Sequence, residues 1–471
     1  MFKKLFQIIG IGIISIHFNY ANNINEFSQD PWGDDVTERM RKSPSKTKIR
    51  KIPAQNIQNK KGGDSDKPKT KNDNPLYGLF TDGTFTLAGL GTYVYSTPDN
   101  YWGYGTELFV QSGQLAGFSI GGNYMFINPW FMSDINPFPP EDQNIFVPSN
   151  RVLAVSQAYL QYQYEHTIQA NAGWLYINTP WLTSFNPVAI TQATFQGVLT
   201  NWQIKDDLLL TALAINRYKG LPATNFSQET MYTSGLNSST GTPSAGDSNG
   251  AISVGLQYNP NSNLNLNAWS YIFFNYASML YLDGGRSFRV DQNNTLTLNL
   301  QGSLQSTFAA GSNTIDNNGY GAPDNQMLGA ELIYAYKNYS LTLGYNALIG
   351  SSSSYGQGGL ISPYTYQIAN DPLFTTSYIA GMVEKSGGQA VKITPAMTIL
   401  DNNISIATSY AYYSTRYVPD SAEWDVIITY QVQQIRGLQL MFDYSLLYTS
   451  SSQGQNSSIS NLVQFMVTYL Y

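Results

Sequence analysis

Residues 438–448 read LQLMFDYSLLY, and this stretch decides the fold of the chain. Every second residue is a leucine or an aromatic residue, whereas Gln439, Asp443 and Ser445 lie at positions between them. A period of two indicates a β-strand with two different faces. One face carries no charge and the other is polar, so the stretch predicts a strand between lipid and water. The apolar face comprises Leu438, Leu440, Phe442, Tyr444, Leu446 and Tyr448.

The same alternation recurs along most of the chain. It is clear in residues 157–164, 264–268, 296–301 and 426–432. Short polar turns follow some of these segments and long polar loops follow others, as in outer-membrane barrels. About 18 strands of roughly ten residues fit the available length, and a count of 16 also fits. The sequence therefore predicts an all-β transmembrane antiparallel barrel over residues 76–471.

Composition excludes several other classes of protein. Only 12% of the 471 residues are charged, and the mean hydropathy is -0.24. Soluble domains carry about 25% charged residues, and membrane helices need apolar runs of roughly 20 residues. A soluble β-sandwich or solenoid also alternates, but its outer face is charged. The chain has no cysteine, which excludes a disulfide framework.

The first 75 residues differ from the rest. Residues 1–21 place Lys3 and Lys4 before a short apolar run, which predicts a secretory signal peptide. Residues 22–75 are rich in lysine and arginine and lack apolar periodicity, which predicts a disordered basic linker on the periplasmic side. The linker could be a solvated tether or could contact peptidoglycan or another envelope polymer. No nucleic-acid partner is predicted.

The predicted barrel is acidic. Of the 25 Lys and Arg residues, 14 precede residue 76, as do eight of the 31 Asp and Glu residues. The barrel segment therefore keeps eleven basic and 23 acidic residues, a net charge of -12. A pore lined by some of these acids would favour cations.

The chain ends in a strand with one apolar face. Residues 461–471 read NLVQFMVTYLY, and Phe465, Tyr469 and Tyr471 lie on that face. An apolar strand ending in an aromatic residue resembles the signal by which the barrel-assembly machinery recognises its substrates. The sequence predicts that these three residues form an assembly signal.

Residues 151–226 carry motifs that resemble those of the OprD-type outer-membrane porins. The likeness extends more weakly over residues 76–471, and residues 22–75 have no counterpart. The resemblance implies an 18-stranded barrel in the outer membrane, as a monomer or a trimer, that admits small solutes such as amino acids, short peptides or organic ions. It also implies that loop 3 (about 176–194) and loop 7 (about 350–388) narrow the pore. The matching motifs are Gln157-Ala158-Tyr159-Leu160, Gly173, Asn178 to Pro180, Phe195 to Val198 and Arg217-Tyr218-Lys219.

Two sets of charged residues are candidates to line the pore. Charges within strands should face the lumen, because Arg or Lys facing lipid costs about 2 to 4 kcal/mol at the midplane. Each could instead serve only as a hydrogen-bond partner of a neighbouring strand. The acidic candidates, on the polar faces of predicted strands, are Glu107, Glu331, Asp425 and Asp443. The basic candidates, read as remnants of the family's basic ladder, are Arg151, Arg217, Lys219, Arg286, Arg289, Lys392 and Arg416.

Enzymatic interpretations are weak. Gly117 to Gly121 match Gly-x-Ser-x-Gly, but a nucleophile elbow needs a strand–turn–helix and a histidine partner for Ser119. The one histidine after the signal peptide is His166. A His/Cys metal site is excluded, and no phosphate-binding or dinucleotide motif is present, so neither a metal nor a cofactor is predicted.

Two functions remain open from the sequence. The first is a porin that allows passive, partly selective diffusion of small solutes through a pore narrowed by loops. The alternative is a closed barrel that serves as a surface or adhesion protein, with partner-binding loops such as residues 237–250 and 351–359.

Overall fold

The computed structural model describes most of the predicted barrel segment. The predicted signal peptide (1–21), the predicted linker (22–75) and Tyr471 lie outside the described residues. The described residues are 78–80, 82–96, 99–132, 147, 151–186, 189–220, 223, 225–231, 247–307, 321–365, 371–383, 385–416, 418–451 and 456–470.

The described residues form twenty strands and one short 3-10 helix, Tyr355–Gln357. The strands, in chain order, are β1 Thr84–Ser96, β2 Asp99–Gln111, β3 Phe118–Met132, β4 Val152–Tyr164, β5 Ile168–Leu175, β6 Asn178–Thr179, β7 Leu182–Thr183, β8 Thr194–Lys205, β9 Leu208–Lys219, β10 Ala251–Asn261, β11 Leu264–Phe273, β12 Ala277–Arg289, β13 Asn294–Ser306, β14 Asp324–Tyr336, β15 Tyr339–Gly350, β16 Gly388–Ile399, β17 Ile404–Thr415, β18 Ser421–Gln431, β19 Leu438–Thr449 and β20 Ser458–Leu470.

Eighteen of these strands form one closed antiparallel barrel. Each barrel strand pairs with the next one along the chain, and β1 pairs with β20, where Val94 lies opposite Gln464. The small β6–β7 hairpin forms a separate sheet within the connection between β5 and β8. Closure removes both sheet edges, so every strand has two hydrogen-bonded neighbours. The predicted 18-stranded antiparallel barrel is confirmed.

The connections differ in length at the two ends of the barrel. One end, called the turn end, has only short connections, such as 165–167, 206–207 and 337–338. The other end, called the loop end, carries all the long connections. Loop 3 (176–193) and loop 7 (351–387) are two of these, within a residue of the predicted bounds. The loop end also has short connections, at 97–98, 274–276 and 416–420, so the predicted alternation of short turns and long loops is only partly correct.

No helix in the described part of the chain is long and apolar enough to cross a membrane.

The two faces of each strand differ as the sequence pattern predicts. In β13, Leu300 and Leu304 are each 55% exposed on the outer face, whereas Gln301 and Ser303 are buried on the inner face. The exposed leucines suit lipid, because an apolar outer band is the defining surface of a membrane barrel. In β20, Phe465 and Tyr469 of the predicted assembly signal are exposed on the outer face.

Loops 3 and 7 contribute to the interior of the molecule. Trp181 and Leu182 of loop 3, and Leu360 and Ile361 of loop 7, are completely buried. They belong to one hydrophobic cluster with inner-face residues of the barrel wall, such as Tyr271. Loops 3 and 7 are therefore packed against the inner side of the barrel wall.

Candidate functional site

Loop 7 is fixed to the barrel wall through its own backbone. The Glu423 carboxylate, on β18, accepts hydrogen bonds from the N–H groups of Ile379 and Ala380, each at 2.6 Å. The Tyr413 hydroxyl, on β17, lies 2.7 Å from the Thr375 carbonyl and 2.9 Å from the Ala380 carbonyl. Carboxylate hydrogen bonds to backbone N–H groups are stronger than neutral ones. Two adjacent strands thus hold one short segment of loop 7.

Two further wall residues extend this attachment. The Lys392 Nζ, on β16, donates to the Thr376 carbonyl at 2.5 Å. The Asn346 side-chain oxygen, on β15, accepts from the Thr375 N–H at 3.0 Å. Residues 375–380 therefore have polar contacts with four consecutive strands, β15 to β18.

A glycine gives the loop room to approach the wall. A Cβ atom added at Gly344, on β15, would lie 2.7 Å from the Phe374 carbonyl oxygen. That distance is too short for a side chain, so loop 7 can lie against the wall only because this position is glycine.

Aromatic contacts hold loop 3 and the earlier part of loop 7. The Trp181 ring packs edge-to-face on Tyr281, with centroids 5.8 Å apart. Tyr364 of loop 7 makes similar contacts with Phe195 at 5.9 Å and with Tyr218 at 5.4 Å. Such pairs are worth about 0.5–1.5 kcal/mol each beyond the area they bury. Both loops are thus held on the same side of the interior, beside β8 to β12.

All four predicted acidic residues lie inside the barrel. Glu107, Glu331, Asp425 and Asp443 are between 0% and 5% exposed. Each accepts at least one hydrogen bond from a polar neighbour on the same face. The donors are Asn123 to Glu107 at 3.0 Å, Asn299 to Glu331 at 3.1 Å, Ser409 to Asp425 at 2.8 Å and Ser445 to Asp443 at 3.2 Å.

The interior contains three further acids. Glu423 and Asp371 are buried, and Asp283, on β12, accepts a hydrogen bond from Asn267 at 2.7 Å. Glu423 was missed by the sequence reasoning, although it lies two residues before Asp425 and extends the same polar face. Asp283 was also missed, because the glycines that follow it weaken the alternating pattern.

Only two of the seven predicted basic residues enter the interior. Lys219 is 2% exposed, and its Nζ donates to the Val155 carbonyl at 3.2 Å. Lys392 donates to loop 7, as described above. Both amines are already paired with backbone carbonyls.

Arg151 and Arg217 are exposed at the loop end. The Arg151 Nε donates to Asn128 at 3.3 Å just before β4 begins. Arg217 pairs with Gln196 after a bulge in β9, and the next residue, Tyr218, is buried. The bulge shifts the alternation by one residue and turns Arg217 away from the buried face.

The other three predicted arginines are also exposed. Arg286 is exposed and is paired with Leu264 and Leu298 on the outer face. Its guanidinium group lies 5.2 Å from the centre of the Phe288 ring. Arg289, exposed at the turn end, donates to the Asp291 carbonyl at 3.1 Å. Arg416, exposed in the connection after β17, donates to the Gly350 carbonyl at 3.2 Å. Arg286 is on the outer side of β12, Arg289 ends β12 on the same side as Asp283, and Arg416 lies outside the strands, so none of the three is buried.

Most of the buried Asp, Glu, Lys and Arg side chains among the described residues are acids. Their fully buried charged side chains comprise one lysine, Lys219, and six acids. The partly buried interior groups Asp283, Lys385 and Lys392 add one acid and two amines. The six buried acids are Glu107, Glu331, Asp371, Glu423, Asp425 and Asp443.

The pKa values of two ionisable groups in loop 7 differ from their ordinary values. Burial raises the pKa of Asp371 to about 7, although hydrogen bonds from the Thr376 hydroxyl and the Leu373 N–H oppose the shift. Burial also lowers the pKa of Lys385 to about 8, and the nearby Glu423 opposes this shift. Desolvation disfavours the charged form in both cases. Loop 7 therefore carries groups that change charge close to neutral pH.

Ser119 and His166 are the residues that the Gly-x-Ser-x-Gly match would assign to a hydrolase. Ser119 is buried on β3, where its hydroxyl donates to Gln161 at 3.0 Å, and His166 is exposed in the β4–β5 turn. The chain continues from Ser119 as a strand rather than entering a helix, so no nucleophile elbow forms there. Within the described residues, no group of three or more Asp, Glu or His side chains could hold a metal ion.

Solved structures share this architecture, a closed 18-stranded antiparallel barrel. No protein-family model matches the sequence, and no curated protein matches it either. OccK8 (OprE) of Pseudomonas aeruginosa superposes with a TM-score of 0.67 and 16% identity, over 84% of this chain and 99% of the other. OpdK of Pseudomonas aeruginosa, solved with vanillate, gives 0.65 and 14% identity over 84% and 100%. OccAB4 of Acinetobacter baumannii gives 0.65 and 14% identity over 83% and 98%. The fold is that of the OprD-type porins, so the fold implied by the resemblance is confirmed.

Proposed function

We propose that this protein is an outer-membrane channel for passive diffusion of small solutes, with a preference for cations. The observation that carries the proposal is the buried charge, six acids against one lysine among the fully buried residues described. Charged groups in a desolvated interior act on a passing ion far more strongly than surface charges do.

The fold supports the channel part of this proposal. A closed barrel with an apolar outer face suits a membrane, and the similar solved structures, such as OccK8 (OprE) and OccD3 (OpdP), have the fold of the OprD-type porins. Loops 3 and 7 would narrow the passage, since both pack against the inside of the wall. Candidate solutes are amino acids, short peptides and small organic ions that carry a positive group.

The five exposed arginines bear on the proposed solute preference. The sequence resemblance implied a basic ladder suited to carboxylate solutes. Arg151, Arg217, Arg286, Arg289 and Arg416 are exposed, whereas six acids are buried inside the barrel, and this difference supports a preference for cations.

Planar-bilayer conductance tests the proposal directly. The folded full-length protein should show steps of open-channel current, and reversal potentials in a tenfold KCl gradient should indicate that K⁺ permeates faster than Cl⁻. Absence of conductance from correctly folded protein would refute the channel, and an anion preference would refute the charge argument alone.

A second candidate function rests on the burial of the loops. Because Trp181, Leu182, Leu360 and Ile361 are completely buried, the loops could close the barrel instead of narrowing it. The protein would then be a surface or adhesion protein that presents its external loops to a partner. Folded protein that binds cells but never conducts ions would favour this function.

The cellular context belongs to the same proposal. Residues 1–21 would direct export, and the barrel-assembly machinery would insert the protein into outer-membrane lipid using Phe465, Tyr469 and Tyr471. The linker at 22–75 would extend into the periplasm and could contact peptidoglycan. The protein would act as a monomer or a trimer.

A further inference from the structure

Arg286 is an exception on the apolar outer face of the barrel. Its neighbours on that face are uncharged, because Leu264 and Leu298 lie beside it in the adjacent strands. Gly284 and Phe288 lie before and after it on the same face of β12. Among the described strand residues, Arg286 is the charged outer-face residue that lies more than two residues from a strand end. A charge among apolar side chains on a lipid-facing surface is costly unless a partner stabilises it.

The guanidinium group of Arg286 has no hydrogen bond or ion pair with the described residues. It contacts the Phe288 ring, which does not neutralise its charge. The two acids nearest in β12 and its following turn are engaged elsewhere. The Asp283 carboxylate accepts a hydrogen bond from Asn267 on the inner face at 2.7 Å, and the Asp291 carboxylate accepts two backbone N–H groups of its own turn. The five N–H donors of the arginine thus lack an acceptor in the described part of the chain.

The contact with Phe288 places the guanidinium group at the edge of the membrane. Phe288 is two residues closer to the turn end than Arg286, a distance of about 6 to 7 Å along the strand. Phe288 lies in the same row of the sheet as Tyr334, through Leu296 between them, and both rings are exposed on the outer face. Exposed aromatic residues near the end of a membrane barrel mark the level of the lipid headgroups. The side chain of Arg286 therefore extends out of the apolar band toward that level.

A phospholipid phosphate is the anion that this position fits. Short connections of an outer-membrane barrel lie on the periplasmic side, where the leaflet consists of phospholipids. A guanidinium group presents its N–H donors in a planar fork that matches two phosphate oxygens. The leucines and the phenylalanine around Arg286 suit acyl chains. No acid lies next to Arg286 on the outer face to attract the ammonium group of a zwitterionic lipid, so the surroundings favour a lipid with a net negative charge.

We propose that Arg286 binds the phosphate group of an anionic phospholipid in the periplasmic leaflet, with Phe288 holding the guanidinium group at the membrane surface. The site rests on the outer-membrane location proposed above and is independent of conductance. Because it lies on the outside of the barrel, a barrel closed by its loops would carry it as well.

Native mass spectrometry of the detergent-solubilised full-length protein, titrated with single lipids, tests the site. Dioleoyl phosphatidylglycerol is the anionic probe. Dioleoyl phosphatidylcholine is the matched probe, because it has the same acyl chains and a phosphate but no net charge. We expect phosphatidylglycerol to bind about fivefold more tightly, since one basic residue near a membrane surface contributes roughly this factor toward anionic lipid.

Three variants test the residues of the site. Arg286→Met should abolish the preference for phosphatidylglycerol, and its apolar side chain suits the outer face. Phe288→Leu keeps the arginine but removes the ring, and it should lower the preference about twofold. Arg289→Met is the matched control, because Arg289 is exposed at the same end of β12 but donates to the Asp291 carbonyl. This variant should keep the preference of the wild type.

Four results would overturn the lipid site while leaving the channel proposal intact. Equal binding of the two lipids by the wild type would show that no anionic lipid is selected. An unchanged preference in Arg286→Met would assign the selection to other residues, and an equal loss in Arg289→Met would show a diffuse effect of charge at the turn end. A change of oligomeric state in Arg286→Met without a change in lipid preference would assign the arginine to a contact between two copies of the chain.

Discussion

The Glu423 carboxylate on β18 accepts a hydrogen bond of 2.6 Å from the Ile379 N–H of loop 7. Its second oxygen accepts another of the same length from Ala380. A single wall residue thus binds two consecutive amides of the loop that narrows or closes the interior. The position of loop 7 depends on a charged contact between elements that are distant in sequence.

Glu423→Gln should loosen this attachment. The amide keeps one acceptor oxygen and loses the other, so one buried N–H remains unpaired at a cost of about 1–3 kcal/mol. We expect hydrogen exchange at Ile379 and Ala380 to accelerate by about tenfold or more, as seen by mass spectrometry of loop 7 peptides. Glu165→Gln, in the exposed β4–β5 turn, is the control. Equal protection in both variants would show that the carboxylate does not hold the loop.

Gly344→Ala should displace loop 7 by steric conflict alone. The new Cβ would lie 2.7 Å from the Phe374 carbonyl oxygen, and overpacking of this kind costs about 1–3 kcal/mol. Gly89→Ala is the matched control, because its Cβ would lie 3.8 Å from Tyr469, an ordinary contact. Faster proteolysis of loop 7 is expected only in the first variant. If both variants resist protease equally, the loop tolerates a shift away from the wall.

Loop 7 should be better protected at pH 5 than at pH 8 because of Asp371. Its folded pKa of about 7 lies above the ordinary value of 3.8, so between these values the folded protein holds a proton that the unfolded chain has lost. Stability conferred by this group therefore falls as the pH rises from about 4 to 7, by at most about 4 kcal/mol.

Exchange protection factors of loop 7, corrected for intrinsic rates, measure this effect. Asp371→Asn keeps an acceptor for the Leu373 N–H but cannot ionise, so it should abolish the difference between pH 5 and pH 8. A difference that persists in the variant would assign the titration to another group.

In the proposed channel, Lys219→Met should raise the preference for cations, whereas Arg217→Met should not. Lys219 is the fully buried cation of the described interior, and Arg217, two residues earlier, is exposed. We expect the ratio of K⁺ to Cl⁻ permeability, from reversal potentials, to increase several-fold in the lysine variant alone. An equal increase in both would mean that exposed charge at the loop end sets selectivity.

The two-residue alternation of the sequence predicted burial inside the barrel better for the acidic residues than for the basic ones. Glu107, Glu331, Asp425 and Asp443 lie in the middle of regular strands, where each step of one residue changes the face. Three of the exposed arginines lie where this alternation does not apply. A bulge precedes Arg217, and Arg151 and Arg416 lie outside the strands.

Arg286 shows a different reason for failure. Arg286 lies in a regular strand on the outer face of the barrel. The sequence prediction placed it in the lumen, because a charged side chain that faces lipid is costly. It is close to the turn end of β12 and lies over Phe288, where a long side chain can reach the membrane surface. The penalty near an interface is much smaller than at the midplane.

The sequence by itself determined the barrel, its approximate strand number and the inner or outer face of most residues within regular strands. These properties follow from local periodicity and turn spacing, because each strand is paired with its neighbour in the chain. Only the tertiary structure determined how the loops pack against the inner side of the barrel wall. The attachment of Ile379 to Glu423 and the clearance at Gly344 join loop and wall residues that no local pattern connects. The contacts of Lys392 and Asn346 with residues 375–376 likewise depend on how loop 7 packs against the wall, a property of three-dimensional packing.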